Sequence, residues 1–135
     1  MVLLDTNVCI RLLNEAYAPL VSQFKARSPN EIYLCSVVKA ELLYGARHSQ
    51  RVDSNLHRLK LFFAPMACLP FDDMAAEHYA MIRADLSVQG QLIGPTDLMI
   101  AAIARANELT LITHNIEEFR RVAGLKLEDW EADNS

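Results

Sequence analysis

The chain has 135 residues, enough for one domain with its own core, and its 52% hydrophobic and 22% charged content excludes disordered, collagenous and low-complexity classes. A net charge of −4 argues against a protein that coats nucleic acid by bulk charge, while leaving room for an enzyme that works through a local patch. No apolar run approaches the roughly 18 residues that span a bilayer, and the start lacks the basic opening of a secretory signal, so a cytoplasmic protein without membrane contact is expected.

Val2-Leu3-Leu4 reads as a short buried strand, and Asp5-Thr6-Asn7 opens a helix through Leu13. A second helix is expected from Tyr17 to Lys25, a strand over Ile32–Cys35, and then a helix capped by Ser36 and running to about Arg47. Asp53 to Phe63 predicts a further helix, with Leu56, Leu59 and Phe63 on one stripe. Ala67–Pro70 is a weak third strand. Asp72 and Asp73 suit the start of a long helix ending at Gly90. Pro95 lies near the start of the next, from Asp97 to about Ala106, which is apolar nearly all round and therefore expected to be buried. Thr110–Thr113 is a strand, Glu117–Phe119 a helical turn, and Leu125–Leu127 a last edge strand. Strands alternating with helices predict an α/β domain with a mostly parallel sheet, over residues 1–130, followed by a short tail at 131–135.

The three cysteines (Cys9, Cys35 and Cys68) are odd in number and far apart, which predicts buried free thiols rather than disulfides or a zinc site. The four histidines show no zinc-ligand spacing either.

Three carboxylates stand out. Asp5 follows a strand directly, where the bland role is a helix cap. Glu41 has Val37, Val38, Tyr44 and Gly45 as helical neighbours, which places it on a largely apolar face, where a carboxylate must reach solvent, a partner or a metal. Asp97 opens the buried helix, where the helix dipole favours it. In an open α/β sheet, ligands bind beyond the carboxyl ends of the strands, and Asp5, Ser36 and Asn115 fall just past three of them. Oxygen-only ligands from separate elements select hard cations such as Mg2+ or Mn2+, a set suited to phosphodiester hydrolysis.

Five segments in order now resemble a known family: Leu3-Leu4-Asp5-Thr6-Asn7; Ser36 to Ala46 with Glu41; Gly90 to Ala102 with Asp97; Leu111-Ile112-Thr113-His114-Asn115 with Glu118-Phe119; and Glu128-Asp129-Trp130. The chain resembles PIN-domain toxins of the VapC type from Val2 to Trp130. That resemblance implies a three-layer α/β/α PIN-like fold and a Mg2+- or Mn2+-dependent endoribonuclease, the toxin of a toxin–antitoxin pair, cutting transfer or ribosomal RNA to stop translation. It also implies a VapB-type antitoxin partner that carries the DNA contact, and a homodimer. Carried over by position, Asp5, Glu41 and Asp97 match the acidic residues. Asn115 stands at the fourth acidic position as a weak or water-mediated ligand, and Thr6, Asn7, Ser36 and Thr113 match supporting polar positions.

Arg47, Arg51, Arg58 and Lys60 form the best basic stretch, with Arg83 elsewhere, and are candidates for RNA phosphate contacts or simply solvated helix faces. Trp130 reads as an anchor for the C-terminal segment. An aspartyl-nucleophile phosphatase would need a second acid at position seven, which is Asn, and a non-catalytic RNA-binding module would not need three acids.

Overall fold

The short apolar runs become the strands of one sheet in the computed structural model, which describes residues 1–132. β1 (Val2–Leu4) leads into α1 (Thr6–Leu13) and α2 (Ala18–Lys25), and β2 (Ile32–Cys35) into α3 (Ser36–Arg47) and α4 (Val52–Phe63). β3 (Ala67–Leu69) precedes α5 (Asp73–Val88) and α6 (Pro95–Ala106); β4 (Thr110–Ile112), α7 (Ile116–Phe119) and β5 (Leu127–Glu128) complete the order. The strands lie in the order β3-β2-β1-β4-β5, and every neighbouring pair is parallel. Helices flank this sheet in the expected α/β/α arrangement, with the sheet wholly rather than mostly parallel.

Parallel sheets need cover on both faces, so their strands are apolar throughout. Leu3, Leu4, Leu34, Leu111 and Ile112 are all fully buried. α6 is the most buried helix: every residue from Ile100 to Ala104 is at 0% exposure, as its all-round apolar sequence requires. α5 packs along it, presenting Ala75, Ile82 and Leu86. Among the described residues, no helix is long and apolar enough to cross a membrane.

Several boundaries differ from the sequence reading. α6 begins at Pro95, which occupies the first turn because its missing N–H has no intrahelical partner to lose there. Ser36 is the first residue of α3 rather than its cap; Cys35 holds the cap position, and the Ser36 hydroxyl lies 3.9 Å from the Cys68 sulfur. The last strand is Leu127–Glu128, not Leu125–Leu127, because the pairing Leu111↔Leu127 and Ile112↔Glu128 sets the register from β4. Cys9 and Cys35 are buried free thiols, and burial pushes the Cys35 thiol up to about 11; Cys68 is only half-buried. Trp130 is buried and Glu131 beyond it is held by Arg11, so the packed chain extends past residue 130. Residues 133–135 of the expected tail lie outside the described residues.

The chain first builds the sheet outward from β1 through β2 to β3, then returns to the other side of β1 with β4. The reversal point is therefore the gap between β1 and β4, where an open α/β sheet places its ligand.

Candidate active site

Asp5 stands at that gap. Its backbone N–H donates to the Ile112 carbonyl at 3.1 Å, continuing the β1–β4 pairing by one residue. Its carboxylate caps α1, accepting from the Val8 N–H at 2.8 Å. The bland role of a helix cap is thus real, yet a cap needs no burial, and Asp5 is only 5% exposed. Burial pushes its carboxyl up to about 6; hydrogen bonds from Thr113 and Val8 oppose this, and the charges of Asp97 and Glu131 add to it. Thr113, fully buried at the end of β4, is the hydroxyl that faces Asp5, and it also accepts the Asn115 N–H at 3.0 Å.

Asp97 sits in the first turn of α6, half-buried. Its carboxyl is raised by burial, then by the charges of Glu118 and Glu41. Glu41 comes from α3. The core face of that helix is Val38, Leu42 and Ala46, so Glu41 lies beside the apolar stripe and is exposed, not on a largely apolar face as its neighbours suggested. The Thr6 hydroxyl donates to it across the gap.

These side chains line one cleft of about 340 Å³, formed by Asp5, Thr6, Asn7, Glu41, Gly94, Pro95, Thr96 and Asp97. Among the described residues, no Lys, Arg or His lines it. Burial is the main reason that the Asp5 and Asp97 carboxyls are raised, and the neighbouring carboxylates, which have no basic partner in the cleft, add repulsion to it. The donor set is carboxylate and hydroxyl oxygen, which fits a hard divalent cation and not a soft one.

Glu118 was not a candidate from sequence. It is half-buried on α7 while Glu117 beside it is exposed, it accepts from the Asn115 amide at 3.2 Å, and its charge is the largest carboxylate influence on Asp97. The acidic set is therefore Asp5, Glu41, Asp97 and Glu118, with Asn115 bonded to Glu118. The available signal was Glu118 three residues after Asn115, next to the buried Phe119. Ser36 does not line the cleft. Nor do Arg47, Arg51, Arg58, Lys60 and Arg83, all of them exposed: Arg58 donates to the Leu13 carbonyl, and Arg83 to the Tyr79 hydroxyl at 3.0 Å.

Comparison with known proteins places this geometry. The PIN domain family matches residues 2–125. The tRNA(fMet)-specific endonuclease VapC of Shigella flexneri is 40% identical over 128 residues, covering 95% of this chain and 96% of that protein. Ribonuclease VapC2 of Haemophilus influenzae is 35% identical over 95% of this chain and 96% of its own. The Rickettsia felis VapBC2 complex, solved with a DNA fragment from its promoter, superposes with a TM-score of 0.90 at 33% identity, over 96% of this chain and 99% of that one. A cleft of carboxylates at the reversal point of a parallel sheet, in a sequence matched over 95% of its length by such relatives, makes this chain a member of the VapC ribonucleases of the PIN-domain family.

Proposed function

We propose that this chain is a divalent-metal-dependent endoribonuclease, the toxin of a toxin–antitoxin pair, and that it cuts structured RNA, foremost transfer RNA, to stop translation. The observation that carries the reading is the convergence of Asp5, Glu41 and Asp97 on one cleft without a basic residue. The activity named for the Shigella and Salmonella relatives, a tRNA(fMet)-specific endonuclease, supports transfer RNA as substrate.

Asp5, Asp97 and Glu41 would hold Mg2+ or Mn2+. Such an ion, when bound, supplies Lewis acidity toward a phosphoryl oxygen and lowers the pKa of water. The protein's part is to keep the acids in place. Thr113 and the Val8 N–H fix Asp5, Thr6 fixes Glu41, and Asn115 fixes Glu118. Asn115 therefore acts chiefly through Glu118, with any ligation of its own weak or water-mediated. Asn7, exposed at the cleft wall, is placed to meet the RNA. Arg47, Arg51 and Lys60 give α3 and α4 an exposed positive surface for phosphates, with lesser parts for Arg58 and Arg83, whose guanidinium groups already have partners.

A VapB-type antitoxin, which would carry any DNA contact, has a fitting seat. A groove of about 370 Å³ lined by Ile10, Leu13, Leu42, Ala46 and Leu59 shares Glu41 with the acidic cleft. An apolar segment lying there would bring a neighbouring basic side chain to the carboxylates. Leu43 and Leu61, exposed on α3 and α4 at 40% and 63%, are the apolar surface for a homodimer.

Mapping 5′ ends in total RNA after brief induction tests the substrate. The reading expects new ends concentrated in transfer RNA, absent on induction of Asp97→Asn. New ends confined to messenger RNA would refute it.

A further inference from the structure

Outside the cleft, a second group of ligand atoms converges. His114 follows β4; Asp129 and Glu131 follow β5, so the β4–β5 pairing brings together residues 15 and 17 positions apart. His114 Nδ1 lies 3.0 Å from Asp129 Oδ2 and 3.4 Å from Glu131 Oε2. All three ligand atoms fall within 4.8 Å of one another.

The carboxylates are held for this convergence. Asp129 Oδ1 accepts the Glu131 N–H at 2.9 Å, which turns Oδ2 toward the imidazole. Glu131 Oε1 accepts from Arg11 at 2.6 Å, and Arg11 is itself stacked on the Tyr17 ring at 4.7 Å. The second oxygen of Glu131 is left buried without a hydrogen-bond partner, in a side chain only 2% exposed, and it points at His114. An oriented, unsatisfied buried carboxylate oxygen is costly unless something positive completes it.

We propose that His114, Asp129 and Glu131 form a second divalent-cation site, selective for zinc over magnesium. Imidazole nitrogen suits zinc, whereas magnesium prefers oxygen alone. Tetrahedral zinc with bonds of about 2.0–2.1 Å sets its ligand atoms roughly 3.3 Å apart, close to the 3.0 and 3.4 Å that separate His114 Nδ1 from the two carboxylate oxygens. Three protein ligands leave a fourth position for water. The outer contacts from Arg11 and the Glu131 N–H are the supports that metal-binding carboxylates carry. A bound ion would clamp the segment after β5 to the turn after β4. This inference does not rest on the ribonuclease reading.

The test is zinc sulfate titrated calorimetrically into the metal-free full chain in excess magnesium, with thermal unfolding followed in parallel. His114 is 58% exposed, so His114→Ala leaves no cavity. The expected result is one zinc per chain with a raised unfolding midpoint. His114→Ala and Asp129→Asn should each weaken binding by about tenfold or more, and Asp97→Asn should leave it intact. Zinc uptake unchanged in His114→Ala, or lost only in Asp97→Asn, would overturn the site. So would the absence of saturable zinc binding in the unaltered chain.

Discussion

Replacing Asp5 by Asn removes a buried charge while keeping the shape of the side chain and its role at the start of α1, since Asn caps helices as well as Asp does. The Asp5 carboxyl titrates near 6 in the folded chain against 3.8 when exposed. A gap of that size is worth about 3 kcal/mol, at roughly 1.4 kcal/mol per pH unit. Because the folded-state value is raised, the protonated group's relative stability is fully present below 3.8 and is lost as pH rises through about 6. Metal-free Asp5→Asn should therefore be more stable than the unaltered chain at neutral pH, by up to about 3 kcal/mol. In a chain of this length that is a rise in unfolding midpoint on the order of 10 °C. The advantage should shrink as pH falls from 6 toward 4, where Asp5 protonates. Urea unfolding in chelator at neutral pH and near pH 4 measures both limits, and RNA cleavage by the variant should be lost although it is the more stable protein. A variant no more stable at neutral pH, or one with the same gain at both pH values, would refute the reasoning.

Asp97→Ala should reduce cleavage to background and Asn115→Ala by about tenfold, followed in a manganese titration of each; equal losses would put Asn115 among the direct ligands. Glu118→Gln should cost about 10–100-fold in activity or metal affinity, measured by single-turnover cleavage and by calorimetry, with circular dichroism unchanged. Trp130→Ala should lower stability by about 3–5 kcal/mol in urea unfolding, because the ring is buried at 2% exposure and ties the C-terminal segment to the body.

Much of this architecture could be read from pattern. The apolar runs at Val2–Leu4, Ile32–Cys35 and Thr110–Ile112 have the length of strands buried on both faces, and the uninterrupted apolar stretch of α6 could be satisfied only by burial. Asp5 and Asp97 were visible because they mark element starts, where a carboxylate has a local reason to be, and the fold then turns both toward one gap. The surroundings of Glu41 were misjudged because helical neighbours show only which residues share a face, not where the core meets a cleft. Glu118 was missed because Glu117-Glu118 looks like the solvated acidic start of a helix, and only the packing of Phe119 decides which of the two turns inward. The grouping of His114 with Asp129 and Glu131 depends on the register between β4 and β5, and spacing along the chain carries no trace of it. The position of β5 failed for a related reason: its pairing is fixed by β4 and not by its own two residues.

The central claim is that the Asp5, Glu41 and Asp97 cleft hydrolyses RNA with a divalent metal. Metal-free protein incubated with initiator transfer RNA, with manganese then restored stepwise and the product termini identified chemically, tests it most directly. The account predicts no cleavage in chelator and recovery with manganese. The products should carry 5′-phosphate and 3′-hydroxyl ends, as attack by water requires. Cleavage that survives chelation, or products ending in a 2′,3′-cyclic phosphate, would contradict it.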